Sequence, residues 1–340
     1  MSVFTPKERL KRVLNKEKVD RPPVICPGGM MNAAIVEVMQ KTGNTLPAAH
    51  SEESLMTDLS ADIQSNTGFE NFGIPFCMTV EAEVLGSPID FGTLECEPKI
   101  QREIFSSVSK VEYRKIDAML RSGRVDTIIQ TGYKLSKKNS DVPVIGSLTG
   151  PISTAASIVD PMTFLKELRK DKNNAHKTID YITNFLIEYA KLMIDNGVNV
   201  ISIADPTATG EILGPKVFEE YALAYLNKIV DSVHEAGAQA IIHICGKMDS
   251  VNHLIPKMRA NAISTDAFVN LRDLKGQYSS ITTMGNLSTF ALEFGDDKKV
   301  SELTNKLLRD EIDIIAPACG LSTSTSLNNI LAMTNTVKES

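Results

Sequence analysis

Eight short apolar runs, spaced along the whole chain, constrain its fold more than any other feature. They are PVICP (23–27), FGIPFC (72–77), VPVIGSL (142–148), VNVISIAD (198–205), AQAIIHIC (238–245), AISTDA (262–267), SITTMGN (280–286) and IDIIAPAC (312–319). Most lack the alternation of a sheet with one wet face. Continuous apolar runs of this length fit strands of a parallel sheet covered by helices. Pro75 interrupts the second run and makes it the weakest strand. Helical stretches lie between the runs. Thr5-Pro6-Lys7-Glu8 has the form of a capping box with proline at the first helical position, opening a helix to about Asn15. Residues 174–196 set Ile179, Ile182, Phe185, Leu186, Tyr189 and Leu192 on one face before Gly197. Residues 215–236 repeat the form, with Pro215 near the start and Gly237 after the end.

Eight strands alternating with helices predict an α/β fold, a single (β/α)8 TIM barrel over residues 1–340. A barrel needs about 250 residues. The excess falls in an N-terminal helical extension (1–20) and an enlarged loop region at about 50–140. A doubly wound open sheet is the structural alternative. The 36 Lys and Arg against 42 Asp and Glu leave a charge of −6, which disfavours a nucleic-acid binder. No apolar run reaches membrane-spanning length, and the N-terminus lacks the apolar core of a secretion signal. Five scattered cysteines are not a disulfide framework; they fit free thiols in a reducing cytoplasm.

A barrel carries its chemistry at the C-terminal ends of its strands. His243-Ile244-Cys245 closes one run, and residues i and i+2 of a strand share a face. Cys319 closes another. Two thiolates and one imidazole, with a fourth position open, are the donor set of a catalytic zinc. The competing reading is a buried histidine and small apolar thiols. Cys26, Cys77 and Cys96 read as background thiols, Cys26 the least safely because it also ends a run. His50, His176, His234 and His253 sit in polar or helical contexts and read as surface residues.

The chain resembles the uroporphyrinogen decarboxylase superfamily, and within it the methylcobamide:coenzyme M methyltransferases of methanogenic archaea. The likeness runs through nearly the whole length. It is carried by Arg21-Pro22-Pro23-Val24, Val80-Glu81-Ala82-Glu83-Val84-Leu85-Gly86 and Gly146-Ser147-Leu148-Thr149-Gly150-Pro151. It continues through Ala204-Asp205-Pro206, His243-Ile244-Cys245-Gly246, Gly285-Asn286-Leu287 and Ala318-Cys319-Gly320-Leu321. Porphyrinogen-decarboxylating members carry Arg-Gln-Ala-Gly-Arg after the first strand. Here that place reads Cys26-Pro27-Gly28-Gly29-Met30-Met31, with no cation to pair with substrate carboxylates.

The resemblance implies a (β/α)8 barrel with zinc on His243, Cys245 and Cys319. It implies methyl transfer from a methylcobalamin-type corrinoid, on a separate carrier protein, to the thiol of coenzyme M. Overall likeness leans to the methanol-pathway type. The alternatives are a methylamine-pathway or other thiol-acceptor enzyme of the same fold, and a non-catalytic corrinoid-binding barrel with structural zinc. Asp266, Asp205 and Glu83 are expected candidates for a fourth ligand or substrate-site acid. Gly29 and Met30 before a helix at 30–41, and Gly320 and Ser322 before the last helix, are expected to offer N–H groups to the sulfonate. Met30, Met31 and Met78 are expected near the corrinoid ring or in packing.

Overall fold

The computed structural model describes residues 3–340. Among the described residues nine strands are present: β1 (Phe72–Ile74), β2 (Ile89–Asp90), β3 (Lys99–Ile100), β4 (Val144–Thr149), β5 (Val200–Ala204), β6 (Gln239–Ile244), β7 (Ala262–Thr265), β8 (Thr283–Leu287) and β9 (Ile314–Pro317). Seven of them form one parallel sheet in the order β1-β4-β5-β6-β7-β8-β9, and β2 with β3 makes a separate antiparallel pair. The parallel sheet curls as a TIM barrel does, with helices outside. Strand β1 stops at Ile74 because Pro75 has no N–H to continue the ladder.

The first apolar run is not a full strand. Residues 23–26 occupy the eighth place, touching β9 through a single parallel bridge, Val24 to Ile315. Ile25 N–H donates to Ile315 O at 3.0 Å, and Ile315 N–H to Pro23 O at 2.9 Å. On the other side, side chains replace the ladder. Cys26 N–H donates to Asn71 Oδ1 and Asn71 Nδ2 donates to Cys26 O, both at 2.9 Å. Val24 N–H donates to Glu70 Oε2 at 3.0 Å. Glu70 also accepts from Arg9 and Arg21, at 2.7 and 2.8 Å. A carboxylate and a carboxamide thus satisfy the backbone that a strand partner would otherwise hold.

Alternation sorts the interior by height. Ile25, Ile145, Val200, Ile241, Ala262, Met284 and Ile314 form one apolar layer. Leu10, Val13 and Leu14 pack against the same layer from the helix Pro6–Leu14, so the N-terminal extension closes the bottom. Both halves of the Thr5–Glu8 capping box are formed. Two residues further along, five of these strands turn polar on the inward side, at Ser147, Ser202, His243, Ser264 and Asn286, while Ala316 of β9 stays apolar.

The region 50–140 is mostly regular structure, including helices Glu53–Thr67, Val80–Leu85 and Val125–Lys138. The expected helix at 215–236 forms: Gly214, at φ 68°, breaks the backbone just before it, and the helix runs to Glu235 with a wider π-helical stretch at Phe218–Leu223. His50 corrects another expectation: it is fully buried, not on the surface. Burial, with the Arg124 charge nearby, lowers its pKa to about 4.

Replacing Asn71 with Leu orphans the N–H and carbonyl of Cys26. The variant is expected to lose about 2–4 kcal/mol in urea unfolding. An unchanged midpoint would contradict closure through this side chain.

Candidate metal centre

His243 and Cys245 leave β6 on its inward face, and Cys319 follows the end of β9. The sheet places these strands three apart, and its curl brings their ends together across the mouth. One ligand atom from each of the three lies within 4.8 Å of the others. The two sulfurs are 3.4 Å apart, and Cys245 Sγ donates to Cys319 Sγ. Two thiolates on one tetrahedral zinc, at about 2.3 Å each, stand about 3.7 Å apart.

The imidazole is fixed by its neighbour in the register. His243 pairs with Ser264 across β6 and β7, and its Nδ1 meets Ser264 Oγ at 2.9 Å. Nε2 is buried and has no hydrogen-bond partner. An orphaned ring nitrogen beside two thiols is a costly arrangement unless a ligand takes the lone pair. The donor set, the sulfur spacing and the anchored ring therefore fit zinc.

The two thiols share their protons unequally. The bond from Cys245, with His243 alongside, draws Cys319 down to about 5 against the opposing effect of burial. Cys245 moves the opposite way, raised by that same bond, by burial and by the Asp266 carboxylate.

The three expected acids part company. Asp266 Oδ2 lies 3.2 Å from Cys245 Sγ, so this carboxylate stands against the cluster. Asn286 holds its loop by donating to Asp266 O and Val269 O, both at 2.8 Å. Asp205 is fully buried and caps the helix Pro151–Ile158 from the neighbouring strand. It accepts from Ile152 N–H at 3.1 Å and Ser153 N–H at 2.8 Å. Glu83 is held by Arg124 at 2.6 Å. None of the three acids, Asp266 included, belongs to the group of donors within 4.8 Å.

Gly29, Met30, Gly320 and Ser322 line one cleft of about 700 Å³ together with Cys319, Met78 and Thr79. They do not sit at helix starts, because the helices that follow begin only at Val36 and Leu327. Their glycines serve close approach. A side chain at Gly29, where φ is +59°, would strike Ser147, and one at Gly320 would strike the carbonyl of Met30. Residues 28–31 fold as a tight turn, with Gly28 and Met31 exchanging both backbone hydrogen bonds. Met31 is buried in the barrel interior. The cleft is acidic, with Glu95, Glu97 and Glu293 against Lys99.

Cys26 is buried and donates to Met31 O at 2.9 Å; burial pushes its pKa far up. Cys77 accepts from Arg124 Nη1 at 3.3 Å, and Cys96 is exposed. Ser264, which orients the imidazole, is not singled out from the sequence; Asn286 is, within Gly285-Asn286-Leu287, but without its role of holding the Asp266 loop. Their signal was the inward register of a polar residue beside His243 and beside Asp266.

Fold and site together define a barrel with a three-donor, thiol-rich centre beside an open cleft that Cys319 lines. The chain belongs to the uroporphyrinogen decarboxylase (URO-D) family, whose profile matches residues 5–340. It is 33% identical to the methylcobamide:CoM methyltransferase MtbA of Methanosarcina acetivorans, over 99% of each chain. It is 28% identical to MtaA of Methanosarcina barkeri, a protein of the same description, over 98% of this chain and 97% of that one. A solved methyltransferase from Methanosarcina mazei superposes with a TM-score of 0.91 at 27% identity, covering 99% of both chains.

Burial raises Asp205 from 3.8 to about 6, against its bonds from Ser153 and Ile152. The folded chain thus holds this proton more tightly than the unfolded chain. The contribution is full below about pH 4 and is lost as pH rises through about 6. The stability of wild type relative to Asp205→Asn should therefore fall between pH 4 and 6 in urea titrations. A rise across that window would contradict the assignment.

Proposed function

We propose that the chain transfers a methyl group from a methylated corrinoid, borne by a carrier protein, to the thiol of coenzyme M. His243, Cys245 and Cys319 would hold zinc for this reaction. The convergence of these three donors, with Cys319 on the wall of an open cleft, carries the reading. Full-length similarity to methylcobamide:CoM methyltransferases supports it.

When bound, zinc supplies positive charge that brings the acceptor thiol to thiolate near neutral pH. The chain's own residues set the conditions. Ser264 holds the His243 ring with Nε2 facing the two sulfurs. Cys245 and Cys319 supply two anionic ligands, which keep the centre electron-rich and its bound sulfur nucleophilic. Asp266 stands beside Cys245 and would be the acid available to the centre before the acceptor binds. The thiolate's electron pair forms the new S–C bond, and the C–Co pair stays on cobalt as Co(III) becomes Co(I). Porphyrinogen decarboxylation is disfavoured, since the turn at 26–31 brings no guanidinium to the cleft.

The test is a methyl-transfer assay with coenzyme M, run on metal-loaded protein. Single Ala replacements of His243, Cys245 or Cys319 are expected to abolish turnover and zinc retention. Ser264→Ala should keep the site but weaken zinc about 10–100-fold in chelator competition. Full activity of Cys319→Ala would overturn the reading. Carriers from the methanol and methylamine pathways, tried in parallel, identify the donor. A structural zinc would instead show four protein ligands and no thiol-dependent turnover.

A further inference from the structure

Cys319 brings the metal centre to one wall of the cleft. Another wall, at Cys77, Met78 and Thr79, is backed by a buried cation that has no part in holding zinc. Arg124 immediately precedes the helix Val125–Lys138, and only 4% of it is exposed. Three bonds orient its guanidinium. Nε donates to Glu83 Oε2 at 2.6 Å, Nη1 to Cys77 Sγ at 3.3 Å and Nη2 to Thr79 Oγ1 at 2.8 Å. Thr79 Oγ1 in turn donates to Cys77 Sγ at 3.4 Å, and the Phe91 ring covers the guanidinium at 5.0 Å. Glu83 thus meets the Nε edge, while the two terminal nitrogens face the residues that line the cleft.

A guanidinium has five N–H groups, and these bonds leave two without a partner among the described residues. A second group of this region is also unmet. His50 is fully buried, both its ring nitrogens lack a partner, and the charges acting on it are those of Arg124 and Glu97. Its neighbour Ser51 accepts from Thr127 Oγ1 at 3.2 Å, which ties it to the helix that follows Arg124. Unmet donors in a buried place are costly unless a ligand accepts from them.

The charges around the cleft differ in depth. Glu95, Glu97 and Lys99 are exposed on the β2–β3 hairpin, and Glu293 is half-buried. Water and salt weaken exposed charges. Arg124 is out of water, so its field reaches through the wall with less screening. The other buried acid here, Glu81, is pushed up to about 7 by burial, so it opposes that charge only in part. Behind an acidic lip, the wall at Cys77 and Thr79 is the positive side of the cleft.

We infer that Arg124, acting through the wall at Cys77 and Thr79, orients the sulfonate of coenzyme M and so selects an acceptor thiol with an anionic tail. The inference rests on the methyl-transfer reading above. Coenzyme M carries its thiol and its sulfonate two methylene carbons apart. With the thiol at Cys319, the sulfonate stays in the cleft that Cys319 and Thr79 both line. Arg124 is a positioning residue: it sets where the tail rests and takes no part in the methyl transfer itself.

The experiment measures methyl transfer from free methylcobalamin to coenzyme M and to 2-mercaptoethanol, whose neutral hydroxyl replaces the sulfonate. Wild type, Arg124→Met, Arg124→Lys, Thr79→Val and Lys99→Met are compared at matched zinc content. In Arg124→Met, KM for coenzyme M should rise about ten-fold or more while kcat stays within about three-fold. The preference for coenzyme M over 2-mercaptoethanol, as a ratio of kcat/KM, should fall by a similar factor, and Arg124→Lys should restore part of it. Ethanesulfonate, the tail without the thiol, should compete with coenzyme M about ten-fold less well in Arg124→Met than in wild type. Thr79→Val keeps the cation and tests the wall alone, with a loss of preference of about three-fold expected. Equal losses with both thiols, or a preference unchanged in Arg124→Met and Thr79→Val, would overturn the proposal. So would a preference lost in Lys99→Met instead, which would place the sulfonate at the outer lip. Wild type that methylates neither thiol would overturn the functional reading; active wild type with indifferent variants overturns only the role of Arg124.

Discussion

The centre exists because a curled sheet brings together the ends of two strands that are not neighbours. Cys245 follows β6 and Cys319 follows β9, and 3.4 Å separates their sulfurs. In a flat sheet of the same order, two strands would lie between them. At about 4.8 Å per strand, their ends would then be some three strand spacings apart. Everything that keeps the sheet curled therefore maintains the donor set. Asn71 and Glu70 seal the eighth place with side chains, and the helix Pro6–Leu14 seals the bottom.

Alternation then does the local placement. The inward series of β6 runs Ile241, His243, Cys245, from apolar layer to mouth. The neighbouring series of β7 runs Ala262, Ser264, Asp266. One register pairing thus supplies both the anchor for the imidazole and the acid beside the thiol. A one-residue slip between these strands would lose both contacts at once. This coupling explains why a site of three ligands depends on residues that are not ligands.

Much of this was legible in the chain. The barrel followed from eight apolar runs, and the His-x-Cys spacing with a distant Cys led to the three residues that converge. Residues 23–26 looked like a strand because the sequence pattern does not reveal that Asn71 and Glu70 will take its ladder bonds. Asp205 looked like a site acid because it ends β5. Its carboxylate instead caps the helix that follows the neighbouring strand β4, a tertiary contact that spacing does not encode. Gly29 and Gly320 resembled anion-binding helix starts. Their actual role is to let two backbone segments approach, which depends on where Ser147 and Met30 lie. His50 has a polar sequence context, yet tertiary packing buries it completely.

The family's fold is shared by enzymes that treat very different substrates, so the chemistry must be argued from the mouth of the barrel. Here the mouth offers two thiols, an orphaned imidazole nitrogen and an adjacent carboxylate, and no arginine among its cleft-lining residues. The most direct test is X-ray absorption at the zinc edge of the metal-loaded protein, with and without coenzyme M. The account predicts a shell of two sulfurs plus nitrogen and oxygen donors that gains a third sulfur, in place of an oxygen, when coenzyme M is added. A shell unchanged by coenzyme M would contradict it.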